Sequence, residues 1–134
     1  MAIPSLVGTD PGGKPKLIGL AHPDTRTFLF VFSQTCGICD DNWPNWVEII
    51  MHSDRSRTRF LGVNLVQPLE SSYAQNRFQG FTEVITVDRA IAREYRFGFT
   101  PQTILLNSDG TIERVWTGLL DRGLLREIDE LFAN

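Results

Sequence analysis

The chain has 134 residues, 42% apolar and 22% charged, with a formal net charge of −3. That length suits one domain around one core, and the slightly acidic balance gives no electrostatic reason to expect nucleic acid or an anionic membrane surface as a partner. No apolar run approaches the roughly 20 residues of a membrane helix, and the opening "MAIPSLVGTD" lacks the basic start and apolar stretch of a secretory signal.

In chain order, residues 1–26 are rich in glycine and proline, and "DPGGK" is a strong turn signal between "SLV" and "KLIGL". This predicts a hairpin extension at the N-terminus. "TFLFVFS" is continuous and aromatic, the pattern of a central strand buried on both faces. Trp43, Trp46, Val47, Ile50 and Met51 then recur at helical spacing and predict a helix from about Gly37 to His52. "HSDRSRTR" reads as a polar loop, a solvated helix end in preference to a docking patch. "RFLGVNLV" is a second strand, and "PLESSYAQNRFQG" a short helix with Pro68 near its start and Gly80 after its end. "TEVITVD" is a third strand, and "RAIAREYRF" a helix of about two turns. "QTILLNSDGTIERVWTG" is a strand pair turning around Asn107–Gly110. "DRGLLREIDELFAN" is an amphipathic terminal helix with Leu124, Leu125, Ile128, Leu131 and Phe132 on one side. The alternating first half implies parallel strands with crossover helices, and the second half adds antiparallel strands. No repeat, low-complexity stretch or linker interrupts the sequence, so residues 1–134 are expected to form a single α/β domain.

The only two cysteines, Cys36 and Cys39, stand where the aromatic strand ends and the first helix begins. A thiol at a helix start feels the positive end of the macrodipole and the unpaired amide groups there. Both favour thiolate, so the Cys36 pKa is expected below the unperturbed value of about 8.5. A second cysteine one turn later shares that face and can resolve a mixed disulfide formed at the first. Three other readings compete. Closed zinc needs four ligands, whereas the chain adds only His22 and His52, and a helix to His52 puts that residue roughly 24 Å away. Two inert buried cysteines are possible chemistry for such a pair. So is a static disulfide, although so short a loop constrains the unfolded chain little.

With these residues in view, the chain resembles the thioredoxin superfamily, and most of all the extracytoplasmic thiol-disulfide oxidoreductases of the TlpA/ResA type. The resemblance runs from Thr27 to the end. It rests on strand, C-x-x-C and helix in order, on Pro44 eight residues after Cys36 where the family kinks its helix, and on "FGFTPQTILLNSDGTI". It implies a thioredoxin-like fold, with a mixed central sheet flanked by helices and the N-terminal hairpin as an extension. It also implies that Thr100–Pro101 is a cis bond packed against the cysteines, with the backbone before it pairing with an extended substrate segment.

Several positions depart from the family. Thr35 replaces the common Trp before the first cysteine. Phe30 stands where thioredoxins bury an Asp, and Asn42 where TlpA/ResA-type proteins often carry Glu, so both usual proton-handling carboxylates are missing. Asp40 and Asp41 follow the pair directly, and are read as solvated first-turn acids in preference to substitutes. Gly37-Ile38 differs from the commoner dipeptides between such cysteines, which bears on the reduction potential. Trp46 is expected in the core. Trp43 and Phe99 are expected there too, with an apolar rim beside the cysteines as the other reading.

The resemblance implies a protein-disulfide oxidoreductase. Cys36 and Cys39 are catalytic, Thr100 and Pro101 bind substrate, and no cofactor or metal is required. Partners are protein thiols or disulfides and an upstream reductant or oxidant; the chain is expected to be a monomer, and the resemblance points to the bacterial envelope or periplasm, with a leader or anchor removed from this sequence, and the cytoplasm as the other reading. A peroxiredoxin-like peroxidase is the second hypothesis, weakened because the Pro-x-x-x-Thr-x-x-Cys spacing is missing. A metal-carrying or redox-dead adaptor is the third.

Overall fold

The structure is a computed structural model and describes residues 1–66, 68–70, 73, 77 and 83–132. Its elements are β1 (Ser5–Thr9), β2 (Pro15–Gly19), β3 (Arg26–Phe32), α1 (Gly37–His52), β4 (Thr58–Asn64), β5 (Glu83–Thr86), α2 (Arg89–Glu94), β6 (Gln102–Leu106), β7 (Ile112–Thr117) and α3 (Arg122–Glu130). The helix expected over "PLESSYAQNRFQG" lies mostly outside the described residues; within it, Tyr73 and Arg77 are helical.

Strand β3 organises the rest because both of its faces are apolar. Phe28, Phe30 and Phe32 point one way, and Leu29 and Val31 the other, as the two-residue period of a strand requires. The aromatic face packs against α1 and α3, through Trp43, Trp46, Ile49, Ile50, Leu125 and Ile128. The aliphatic face meets Leu6 and Ile18 of the hairpin, Leu61 and Val63 of β4, and Phe97 after α2. Each fully buried side chain of this size contributes about 1.5–3 kcal/mol. A strand buried on both sides belongs in the middle of a sheet, and β3 has partners on both edges. It pairs with β4 in parallel and with β6 in antiparallel register, placing Val31 opposite Gln102.

All seven strands join one mixed sheet in the order β2-β1-β5-β4-β3-β6-β7. Strands β3, β4 and β5 are parallel, β6 and β7 form an antiparallel pair, and the hairpin β1–β2 attaches to β5 at Thr9 and Thr86. Gly8 makes that attachment close, since a Cβ there would sit 2.1 Å from the Thr86 carbonyl oxygen. The architecture is the mixed α/β sheet expected from the sequence.

The helices need two corrections. Helix α1 spans the expected residues, but its buried stripe is Cys39, Asn42, Trp43, Trp46, Ile49 and Ile50. Val47 and Met51, assigned to that stripe from spacing, face solvent. Helix α2 ends at Glu94, one turn sooner than the pattern "RAIAREYRF" suggests. Its chain leaves the helix through Arg96 in a left-handed conformation, with Phe97 N–H bonded back to Ala92 O.

Candidate active site

Cys36 is the N-cap of α1. Its backbone is extended, and its sulfur accepts the Cys39 N–H at 3.2 Å. An N-cap satisfies amides that the helix cannot. Helices α2 and α3 do so with the carboxylates of Asp88 and Asp121, whereas α1 does so with a sulfur. The preceding turn holds Cys36 in place: its N–H donates to Ser33 O, and the Thr35 N–H donates to Ser33 Oγ. The Thr35 hydroxyl is engaged by Ser33 Oγ at 2.8 Å.

Cys36 and Cys39 are joined as a disulfide with Cα atoms 5.3 Å apart. The two sulfurs differ in access. Cys39 is fully buried against the aromatic core, while Cys36 is partly exposed. Only the latter is reachable by an outside sulfur.

The Thr100–Pro101 bond is cis, and Pro101 is buried. The Thr100 carbonyl oxygen lies 3.6 Å from Cys36 Sγ. In the disulfide that contact carries no proton; in the dithiol the Cys36 S–H is placed to donate to it. The register explains the meeting. Because β6 runs antiparallel to β3, the residues entering β6 lie beside those leaving β3, which lead into Cys36. Pro101 O accepts the Gly118 N–H, tying this corner to the end of β7.

Asn42 is buried and serves as a clamp. Its Oδ1 accepts the Leu120 N–H at 2.9 Å and Asn45 Nδ2 at 3.0 Å. Its own Nδ2 has no partner among the described residues. Phe30 is fully buried and stacks on Trp46, with ring centroids 5.0 Å apart. Trp46 Nε1 donates to Thr103 Oγ1 on β6. Neither position moves protons, as their residue types indicate.

Asp40 and Asp41 are exposed, but Asp40 is not simply solvated. Arg77 binds its carboxylate at 3.0 Å, and the same guanidinium covers the Tyr73 ring at 4.0 Å. That cation offsets the aspartate charge beside the cysteines. Tyr73 stacks on Phe32, and its hydroxyl accepts Trp43 Nε1 at 3.1 Å. Burial raises the Tyr73 pKa above its ordinary value, against the opposing Trp43 hydrogen bond.

Trp43 and Trp46 are both core residues, whereas Phe99 is 69% exposed. The expectation that Phe99 is buried is therefore corrected. It stands on the turn into the cis bond, where the sheet has ended and no element covers it. Ile38, between the cysteines, is also exposed. His52 closes α1 beside Asp129, and His22 lies in an exposed loop against Ser108; neither joins the cysteines. Among the described residues no group of three or more His, Cys, Asp or Glu side chains is placed to hold a metal.

Comparison with solved structures places the fold. StoA from Bacillus subtilis superposes with a TM-score of 0.67 at 19% identity, over 97% of this chain and 98% of that one. A thiol:disulfide interchange protein of the thioredoxin family from Chlorobium tepidum TLS reaches a TM-score of 0.75 at 15% identity, covering 100% of this chain and 97% of its own. The fold is thioredoxin-like. The exposed lipoprotein thioredoxin Etrx1 from Streptococcus pneumoniae strain TIGR4 has the same architecture, with a TM-score of 0.65 at 15% identity over 95% and 98% of the two chains. No protein-family model and no curated protein matches the sequence. Identities this low establish the thioredoxin-like architecture, and the chemistry rests on the residues just described.

Proposed function

We propose that this protein is a thiol-disulfide oxidoreductase that exchanges the Cys36–Cys39 couple with partner proteins. The observation that carries the proposal is a reachable sulfur at the N-cap of α1, bonded to a buried sulfur one turn on. In the reducing direction the Cys36 thiolate attacks a partner disulfide. A bond forms between Cys36 and one partner sulfur, and the other partner sulfur leaves as a thiolate and takes a proton from solvent. The Cys39 thiolate then attacks the Cys36 sulfur, the Cys36–Cys39 bond closes, and the second partner thiolate departs. Two electrons pass from this dithiol to the partner, and the reverse sequence oxidises a partner dithiol.

The helix N-terminus favours the thiolate at Cys36, and burial of Cys39 makes Cys36 the sulfur that meets the partner. Thr100 and Pro101 form the wall beside the attacked bond, where an extended partner backbone pairs. An upstream reductant or oxidant resets the couple. The proposal includes a bacterial extracytoplasmic setting, supported by the TlpA/ResA resemblance and by a structural neighbour described as an exposed lipoprotein. Among the described residues no helix is long and apolar enough to cross a membrane.

Trapping tests the assignment. Reduced Cys39→Ser protein, mixed with a disulfide-bonded protein substrate, is expected to accumulate a covalent complex through Cys36, visible by mass spectrometry and released by dithiothreitol. Cys36→Ser is expected to form none. A Cys36 thiol that alkylates no faster than free cysteine across pH, together with no trapped complex, defeats the reading.

A further inference from the structure

Beside the reactive corner lies a groove of about 510 Å³ whose wall is cationic and whose floor is apolar. Arg89, Arg93 and Arg96 supply the charge, Leu65, Ala92 and the exposed Phe99 line it with apolar groups, and Phe97 lies fully buried beneath. Among the described residues no carboxylate lines it. Among the described residues none of the three arginines is ion-paired, although the chain as a whole is acidic and most of its other arginines with a named role are paired with Glu or Asp. The nearest acids on the same helix are occupied elsewhere or set apart. Asp88 caps α2 by accepting the Ile91 N–H, and Glu94 does not line the groove.

Arg96 is held there against backbone preference. Its φ is +59°, the left-handed region that an L side chain disfavours and where a helix exit favours glycine. The chain links the groove to the redox site: Gly98 and Phe99 line it, and the next residue, Thr100, offers the carbonyl beside Cys36 Sγ.

We propose that this groove selects the partner: it takes an extended protein segment in which acidic residues and an apolar side chain flank the reacting cysteine. The inference rests on the oxidoreductase reading and adds the chemistry of the substrate. An extended chain advances at most about 3.6 Å per residue, so carboxylates a few residues from the partner cysteine are the ones offered to Arg93 and Arg96 while that cysteine meets Cys36. Phe99 then covers an apolar side chain of the segment. Charges at such a rim act chiefly on the encounter rate.

The test uses short peptides with one cysteine held as a mixed disulfide with neutral 2-mercaptoethanol, identical except for Glu or Lys at those flanking positions. Fully reduced wild-type protein is expected to reduce the Glu peptide with kcat/KM about tenfold above the Lys peptide at low ionic strength, the ratio collapsing near about 0.5 M salt. In the variant carrying Arg89→Gln, Arg93→Gln and Arg96→Gly the ratio falls to within about twofold of unity. Arg96→Gly removes a left-handed side chain and leaves the fold intact by circular dichroism. Arg55→Gln, at the far end of α1, retains the wild-type ratio.

Equal rates for the two peptides with wild-type protein, or an undiminished ratio in the triple variant, overturn the proposal. Bis(2-hydroxyethyl) disulfide, uncharged, separates the two levels. If wild-type protein reduces it but shows no charge preference, the groove assignment alone fails. If it reduces neither this compound nor any peptide, the oxidoreductase reading fails as well.

Discussion

A single amide decides how the end of the sheet meets α1. Asn42 Oδ1 receives the Leu120 N–H from 78 residues away, in a site sealed from water. Removing the acceptor leaves a buried donor unsatisfied, at a cost of about 1–3 kcal/mol. Asn42→Ala is therefore expected to lower the unfolding free energy by that amount, read as a lower urea midpoint with the slope of the transition unaltered. An unchanged midpoint means that the Leu120 amide finds another acceptor. The sequence marks Asn42 only as the place where a carboxylate is missing, because what an amide bonds to depends on which distant loop is folded against it. Arg77 is a similar case. Its partnership with Asp40 joins α1 to a segment 37 residues on, and no local pattern announces it. The role of Cys36 is more legible, since a strand end, a helix start and a second cysteine one turn later are all neighbours in the chain.

Between elements, charge stitches the hairpin to the sheet. Glu83 on β5 receives Arg59 of β4 at 2.8 Å and Lys16 of β2 at 3.2 Å. Burial alone would raise the Glu83 pKa, but the two cations outweigh it and hold the carboxyl below its ordinary value of 4.5. A folded pKa below the unfolded one gives stability that is fully present above that ordinary value and is lost as pH falls through the lower, folded value. The acid limb of a stability–pH curve is thus expected to flatten in Glu83→Gln, and an identical limb in both proteins removes this ion pair from the account. Because Glu83 is about a quarter exposed, solvent screening keeps the effect modest.

The stripe of α1 illustrates what pattern reading can reach at this scale. Trp43, Trp46 and Ile50 lie on the centre line of the helix face, which the 3.6-residue period reveals. The flank is ambiguous, and Val47 with Met51 suits the period as well as Asn42 with Ile49 does. Helix α3 and the loop at Leu120 cover the second flank, and that choice is not written locally. Composition alone favours an inward Phe99, since phenylalanine is usually buried, yet the turn into Pro101 carries it past the edge of both cores.

For the whole molecule, the main consequence is that β3 belongs to two cores at once. The aromatic cluster includes Trp43, Trp46 and Trp116, all nearly inaccessible to water, and the aliphatic cluster lies on the opposite face of the same strand. Neither face can open without exposing the other side of β3, so urea unfolding is expected to be one cooperative event. Tryptophan emission, which reports the aromatic face, and far-UV circular dichroism, which reports the whole sheet, should give coincident transitions; two separated midpoints would show that the faces unfold independently.

The order of strands and helices, the mixed sheet and the dithiol at a helix start are legible in the bare chain because each is a property of neighbouring residues: a period, a turn signal, a spacing of three. The contact of Thr100 with Cys36, the clamp at Asn42 and the flank of α1 come from folding alone. Each joins segments far apart in sequence, and which of them meet is set by the packing of two apolar faces on one strand.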